Sequence, residues 1–256
     1  MRGLKDRTVL VTGGANGIGA AIARRLGEEG CTAGILDLDA DAGGKVVAEI
    51  KAAGGKASLH AADISDYAAV SRAIEDFEQA AGPIALLVNN AGWDRAASFL
   101  DTTPEFWAKV VGINLYGPLN VSHIVLKGMA ARGFGRVVNI ASDAGRVGSS
   151  NEAIYSGAKG GLIAFTKTLA REMARDGITV NCVCPGWTNT SMIDWDAIAK
   201  RQGVTLDEAQ SVALASNVQH RILEPEEITG MISLLVGVDG GGITGQVIGV
   251  DGGYGI

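Results

Sequence analysis

The chain is expected to fold as one doubly wound α/β domain, a parallel sheet with helices on both faces. Three observations predict it. Short runs rich in β-branched residues alternate with longer stretches of helical period along the whole chain. Most of the strand candidates are continuously apolar rather than alternating, the pattern of strands covered on both faces. No linker, low-complexity tract or repeat divides residues 1–256, so they read as a single unit.

The elements follow in order. Thr8–Thr12 is the first strand and leads through a glycine-rich turn into a helix near Ile18–Glu29. A second strand, Ala33–Asp37, precedes a helix over Asp41–Ala53; a third, Ala57–Ala61, precedes Tyr67–Ala81, which Ser65 or Asp66 can cap. Ile84–Val88 is followed by a long helical stretch, Pro104–Arg132. Arg136–Ala141 precedes Ala153–Arg175. Thr179–Cys184 is the sixth strand, and Pro225–Val236 with Gln246–Val250 completes the series. The rhythm breaks over residues 187–221. A connection that long inside a compact domain is usually functional, so it is expected to be a substrate lid, with Thr205–Asn217 helical.

Composition limits the function classes. With 22 basic against 28 acidic residues the net charge is −6, which offers no electrostatic footprint for nucleic acid or an anionic membrane. The polar start of the chain and the lack of a long apolar run predict a cytoplasmic protein. Cys31, Cys182 and Cys184 have no histidines at ligand spacing around them, so no metal site is expected.

The turn after the first strand, Thr12–Gly19, places Gly13, Gly17 and Gly19 where the backbone must bend tightly and approach a phosphate. Asn16, Gly17 and Ile18 then open a helix whose free N–H groups suit a pyrophosphate. Asp37 ends the second strand, 20 residues after Gly17. A carboxylate there accepts from ribose hydroxyls and repels a 2′-phosphate, so NAD is the expected cofactor. Asp63 and Ile64 follow the third strand, and Asn90, Ala91 and Gly92 follow the fourth, at the strand ends where ligands bind in such sheets. Tyr155 and Lys159 are one helical turn apart on one face. A tyrosine hydroxyl ionises near ~10. An ammonium ~4 Å away at an effective dielectric of ~20 would supply about the 4 kcal/mol needed to make it a base at neutral pH. Ser142 ends the fifth strand, placed to hydrogen-bond a substrate oxygen. The residues Pro185, Gly186, Thr188 and Thr190 after the sixth could turn back over the nicotinamide.

The ordered set Thr12–Gly19, Asp63, Asn89–Gly92, Asn114, Ser142, Tyr155, Lys159 and Pro185–Thr190 resembles the short-chain dehydrogenase/reductase family nearly end to end. The resemblance implies a seven-stranded Rossmann fold, a Ser142–Tyr155–Lys159–Asn114 catalytic group in which Asn114 holds a water of a proton relay, and a homotetramer. Asn89–Asp94 and Asn139–Tyr155 are also similar to the 2-hydroxycyclohexanecarboxyl-CoA dehydrogenases and related ring-alcohol dehydrogenases. Trp187 departs from that subgroup's small residue or proline.

These readings converge on NAD-dependent oxidation of a secondary alcohol to a ketone. Trp93, Trp187, Met192 and Trp195, with Ser142 and Tyr155, are the expected substrate contacts, and aromatic walls reward a ring-bearing substrate. The lid carries Lys200 and Arg201 against Asp194, Asp196, Asp207 and Glu208, a poor mouth for a polyphosphate. The expected substrate is therefore a small alcohol of the 1-arylethanol or cyclohexanol type. A hydroxyacyl-CoA is the alternative, and a carrier-protein reductase or a non-catalytic NAD-binding module is less favoured.

Overall fold

In the computed structural model, which describes residues 1–255, strand and helix alternate from the start. The first half runs β1 (Thr8–Thr12), α1 (Gly17–Glu28), β2 (Thr32–Asp37), α2 (Ala40–Ala52), β3 (Lys56–Ala61), α3 (Tyr67–Ala81) and β4 (Leu86–Asn89). Next come α4 (Pro104–Val111), α5 (Gly117–Arg132), β5 (Gly135–Ile140), the short α6 (Ala144–Val147) and α7 (Ala153–Met173). The chain ends with β6 (Ile178–Pro185), α8 (Trp195–Gln202), α9 (Leu206–Ala215), α10 (Pro225–Val236) and β7 (Val247–Val250).

All seven strands pair in parallel in the order β3-β2-β1-β4-β5-β6-β7. This is the Rossmann arrangement expected of the sequence. Because successive strands leave β1 in opposite directions, a crevice opens above the β1–β4 junction, where such sheets bind ligands. Each face of the sheet has its own core. Ile22 and Leu26 of α1, Val46 and Ile50 of α2, and Ile228 and Leu235 of α10 cover one face. Phe77 of α3, Val125 and Met129 of α5 and Leu169 of α7 cover the other. Gly34 of β2 is fixed by this packing, since a Cβ there would sit 2.6 Å from the Phe77 ring. The three cysteines are free and buried; Cys182 and Cys184 pack with Ala141 and Leu162 as small core residues. Among the described residues no helix is long and apolar enough to cross a membrane.

Two elements differ from expectation. The continuous helix expected over Pro104–Arg132 is interrupted by a π-helical turn, Gly112–Tyr116, between α4 and α5. Glycines at 112 and 117 flank it, and the latter lies against Ile64, whose side chain leaves no room for a Cβ. Helical periodicity carries no signal for one inserted residue of register. The second difference is α8, which was not expected. Its apolar content is low, and Asp194 fixes its start by accepting from the Ala197 N–H at 2.9 Å.

Candidate active site

The glycine-rich turn is held from three sides. Gly13 donates to the Leu36 carbonyl at 2.8 Å, and Asn90 Nδ2 donates to the carbonyls of Thr12 and Gly13 at 3.1 and 3.0 Å. Thr12 Oγ1 accepts from the N–H groups of Asn90 and Ala91, locking the end of β4 to the end of β1. A Cβ at Gly13 would lie 2.7 Å from the Ala91 Cα, and one at Gly19 would overlap the Gly13 carbonyl oxygen. Gly17 has φ +51°, and its open side faces the Thr190 methyl at 3.0 Å from a hypothetical Cβ. Asn16 stands at the start of α1 with no side-chain cap on the helix, and Ile18 packs into the core behind it. The result is a bare backbone cradle at a helix N-terminus, which fits a dinucleotide pyrophosphate.

Asp37 lies at the tip of β2 beside this cradle. Its Oδ2 accepts from the Ala15 N–H at 2.9 Å and its Oδ1 from the Asp39 N–H at 3.0 Å. The next side chain is Leu38, which is exposed, and among the described residues Asp37 forms no ion pair. Asp63 Oδ1 accepts from the Ser65 N–H and hydroxyl at 2.8 and 2.7 Å, shaping the turn after β3, and Ile64 is buried under Gly117.

Ser142, Tyr155 and Lys159 converge at the carboxyl end of β5. Ser142 Oγ accepts from the Ala144 N–H at 3.1 Å, which leaves its own hydrogen to donate, to Tyr155 in the protein alone and to a substrate oxygen when one is bound. Apolar surroundings push the Tyr155 hydroxyl well above its ordinary value, and its hydrogen bond with Ser142 opposes the shift. Lys159 is buried, donates to the Ile140 carbonyl at 2.9 Å and is drawn down to about 8 by desolvation. Its Nζ is 5.6 Å from the Tyr155 ring centroid. The upward shift of Tyr155 comes first from burial, with Glu152 and Asp94 adding to it; Lys159 is not among the groups that shift it in the protein alone.

Asn114 is fully buried in the π-helical turn. Its Nδ2 donates to the Trp93 and Val110 carbonyls, at 2.6 and 2.9 Å, and its Oδ1 accepts from the Trp93 N–H at 3.3 Å. Gly92 lies between Asn114 Oδ1 and Lys159 Nζ, 3.0 and 3.5 Å from where its Cβ would be. The Asn114 side chain thus clamps the segment after β4 against the base of the site.

Beside Tyr155 is a narrow cleft, lined by Asp94, Ala97, Phe99, Thr102, Phe106 and the first residues of α7 with Asn151 and Glu152 before them. These side chains close it to a water-sized sphere, so that a substrate must part them. Sequence reasoning did not single out Asp94, Phe99, Phe106 or Glu152. Their only signal was proximity to the Asn89–Gly92 turn and to Tyr155. Of the expected aromatic contacts, Trp93 backs the cleft, packing edge-on to Phe106 with centroids 5.9 Å apart. Trp187 and Trp195 instead stack on each other at 5.5 Å, and Trp187 Nε1 donates to Ser216 Oγ at 3.2 Å. Neither of them lines this cleft, nor does Met192, which is half exposed on the lid. Pro185 ends β6, Gly186 donates to the Val250 carbonyl, and buried Thr188 bridges to Leu223 at the base of the lid.

Comparison with known proteins agrees with this geometry. The family model described as short chain dehydrogenase matches residues 7–198. The chain is 40% identical over 241 residues to the acetoacetyl-CoA reductase of Paracoccus denitrificans, covering 94% of each. It is 32% identical over 257 residues to the D-beta-hydroxybutyrate dehydrogenase of Cupriavidus necator, covering 98% of each. Among solved structures, a variant of actinorhodin polyketide ketoreductase with NADPH superposes with a TM-score of 0.95 at 36% identity, over 100% of this chain and 99% of that one. The chain belongs to the short-chain dehydrogenase/reductase family, oxidoreductases that act on CH–OH groups with a nicotinamide cofactor.

Proposed function

We propose that the protein interconverts a secondary hydroxyl on an acyl-CoA thioester and the corresponding ketone, with NAD as cofactor. This reading replaces the free ring alcohol as first choice. The observation that carries it is the charge at the mouth of the cleft. Arg95 lies over the Phe106 ring at 5.4 Å, Lys109 Nζ over the Trp93 ring at 3.7 Å, and Arg201 Nη1 donates to the Ala96 carbonyl at 3.0 Å. Among the described residues none of the three is in an ion pair, so each can meet a phosphate. Two of the four lid acids that made the mouth look hostile are engaged elsewhere, while Asp196 and Asp207 remain exposed on α8 and α9. Asp194 caps α8, and Glu208 closes a capping box with Thr205 at the start of α9. Similarity to an acetoacetyl-CoA reductase and to a hydroxybutyrate dehydrogenase supports the same 3-hydroxyacyl chemistry. Phe99 and Phe106 add apolar faces suited to a flat or alicyclic acyl group.

NAD is favoured by Asp37, which among the described residues forms no ion pair and has exposed Leu38 beside it. A nicotinamide cofactor held by the Thr12–Gly19 turn, Asp37 and the Asn90–Gly92 segment would supply a hydride acceptor there and, when oxidised, a positive charge that favours ionisation of Tyr155. Tyr155 Oη takes the hydroxyl proton, while the hydrogen of Ser142 Oγ donates to the substrate oxygen and holds it as the carbonyl forms. Lys159 supplies a buried donor at the cofactor side and a route for the proton away from Tyr155. Asn114 keeps Gly92–Trp93 in place beneath both.

The mouth cations make a measurable claim. KM for 3-hydroxybutyryl-CoA should lie at least about tenfold below KM for the N-acetylcysteamine thioester, which has the same reacting end and no phosphates. The gap should close in high salt, since exposed charge pairs are screened. Equal KM values at low salt would refute the acyl-CoA reading.

A further inference from the structure

The cleft beside Tyr155 is cationic outside and acidic inside. Asp94 and Glu152 both line it. Asp94 is partly buried, and its Oδ2 has no hydrogen-bond partner although it is shielded from water. No cation neutralises it: Arg95, the next residue, lies over the Phe106 ring, and among the described residues Asp94 forms no ion pair. A carboxylate oxygen shielded from water without a partner is unfavourable in any fold, so its position on the wall beside Tyr155 calls for a reason in recognition.

We infer that Asp94, seconded by Glu152, is a specificity-determining residue: it excludes substrates with a free carboxylate next to the reacting carbinol and admits neutral acyl groups. The inference rests on the thioester reading in naming the substrate, for a 3-hydroxyacyl thioester is neutral at the end that enters the cleft and anionic only at the phosphates outside. A free 3-hydroxy acid has the same carbons and carries its negative charge inward. Burial, with Glu152 adding to it, raises the Asp94 carboxyl to about 6, and its backbone hydrogen bond at Arg95 opposes this. Above that pH it is charged, so near neutrality the repulsion is present. Two carboxylates about 6 Å apart at an effective dielectric of ~20 repel by roughly a hundredfold in binding. The other charges near Asp94 do not change between the native protein and Asp94→Asn. Tyr155 is neutral at such pH. The Lys159 ammonium behind it and the mouth cations Arg95, Lys109 and Arg201 attract an acid as well. They are common to both proteins, so the change in ratio on substitution reads Asp94 alone.

The test compares methyl 3-hydroxybutyrate with 3-hydroxybutyrate, which share the reacting carbinol and differ in charge and one methyl group. In the native protein the ester-to-acid ratio of kcat/KM should be at least about tenfold. Asp94→Asn should lower that ratio about fivefold or more, Asp94→Glu should keep it, and Glu152→Gln should lower it less than Asp94→Asn. A merely structural role for Asp94 would depress both substrates together and leave the ratio unmoved. The same ratio is read without turnover, from NADH fluorescence as methyl acetoacetate or acetoacetate binds the enzyme–NADH complex. If Asp94→Asn fails to fold, the native, Asp94→Glu and Glu152→Gln proteins still give the ratio. A native ratio near one, or one that Asp94→Asn and Glu152→Gln both leave unchanged, overturns the inference. Failure of the thioester reading is seen separately, as loss of preference for 3-hydroxybutyryl-CoA while the ester-to-acid ratio persists.

Discussion

Asp37 is the side chain on which the proposed choice of NAD turns. Its two oxygens accept from Ala15 and Asp39 N–H groups, so it is held rigidly at the tip of β2. A rigid carboxylate cannot swing away from a 2′-phosphate, and repulsion at close range costs on the order of a hundredfold in binding. NAD should therefore exceed NADP in kcat/KM by about that factor, and Asp37→Ala should narrow the gap at least tenfold. Equal use of both cofactors by the native protein, in an initial-rate comparison, would contradict this. The identity and place of Asp37, Ser142, Tyr155 and Lys159 were legible in the sequence, because each follows a strand or occupies a fixed helical offset. The Tyr155 shift was not. A Coulomb estimate from the i, i+4 spacing had the ammonium and no measure of the burial that opposes it. Asp94 was equally hidden, since its meaning depends on a cleft formed by residues from three segments.

At the scale of elements, the strands were legible within two residues at either end, since continuous apolar runs flanked by glycines and aspartates mark them. The π-helical turn that positions Asn114 and the helix α8 were not, because neither leaves a periodic apolar trace. The lid they left undefined has a clear construction. Its two ends meet where Leu223 donates to the Trp187 carbonyl at 2.9 Å and Asn189 donates to the Leu223 carbonyl at 2.8 Å. The Trp187 indole then joins α8 through Trp195 and the end of α9 through Ser216. An aromatic pair contributes ~0.5–1.5 kcal/mol beyond its buried area. Trp187→Ala should thus raise the open population of the lid by about tenfold or more while leaving the sheet intact. Limited proteolysis should cut within residues 190–215 correspondingly faster, with little change in Tm. An unchanged cleavage rate would mean that the stack does not hold the lid.

Taken as a whole, the molecule separates two kinds of charge around one reacting centre. A net charge of −6 gave no hint of this, because it averages the cations at the cleft mouth with acids that cap helices or face inward. Summing charge over the lid segment misled for the same reason: Arg201 reaches out of the lid to Ala96, while Asp194 stays on its own helix. Cofactor cradle, proton-transferring hydroxyl and cationic mouth together define the central claim, that a hydroxyacyl thioester is oxidised with NAD at Tyr155. The most direct measurement is NADH formation from 3-hydroxybutyryl-CoA, 2-hydroxycyclohexanecarboxyl-CoA, 1-phenylethanol and cyclohexanol, at equal concentration, with Tyr155→Phe as the paired control. At least one thioester should turn over fastest, at a rate that rises with pH because Tyr155 must ionise first, and Tyr155→Phe should fall to about a hundredth or less. Faster turnover of a free ring alcohol, or more than a few per cent of the native rate in Tyr155→Phe, would contradict it.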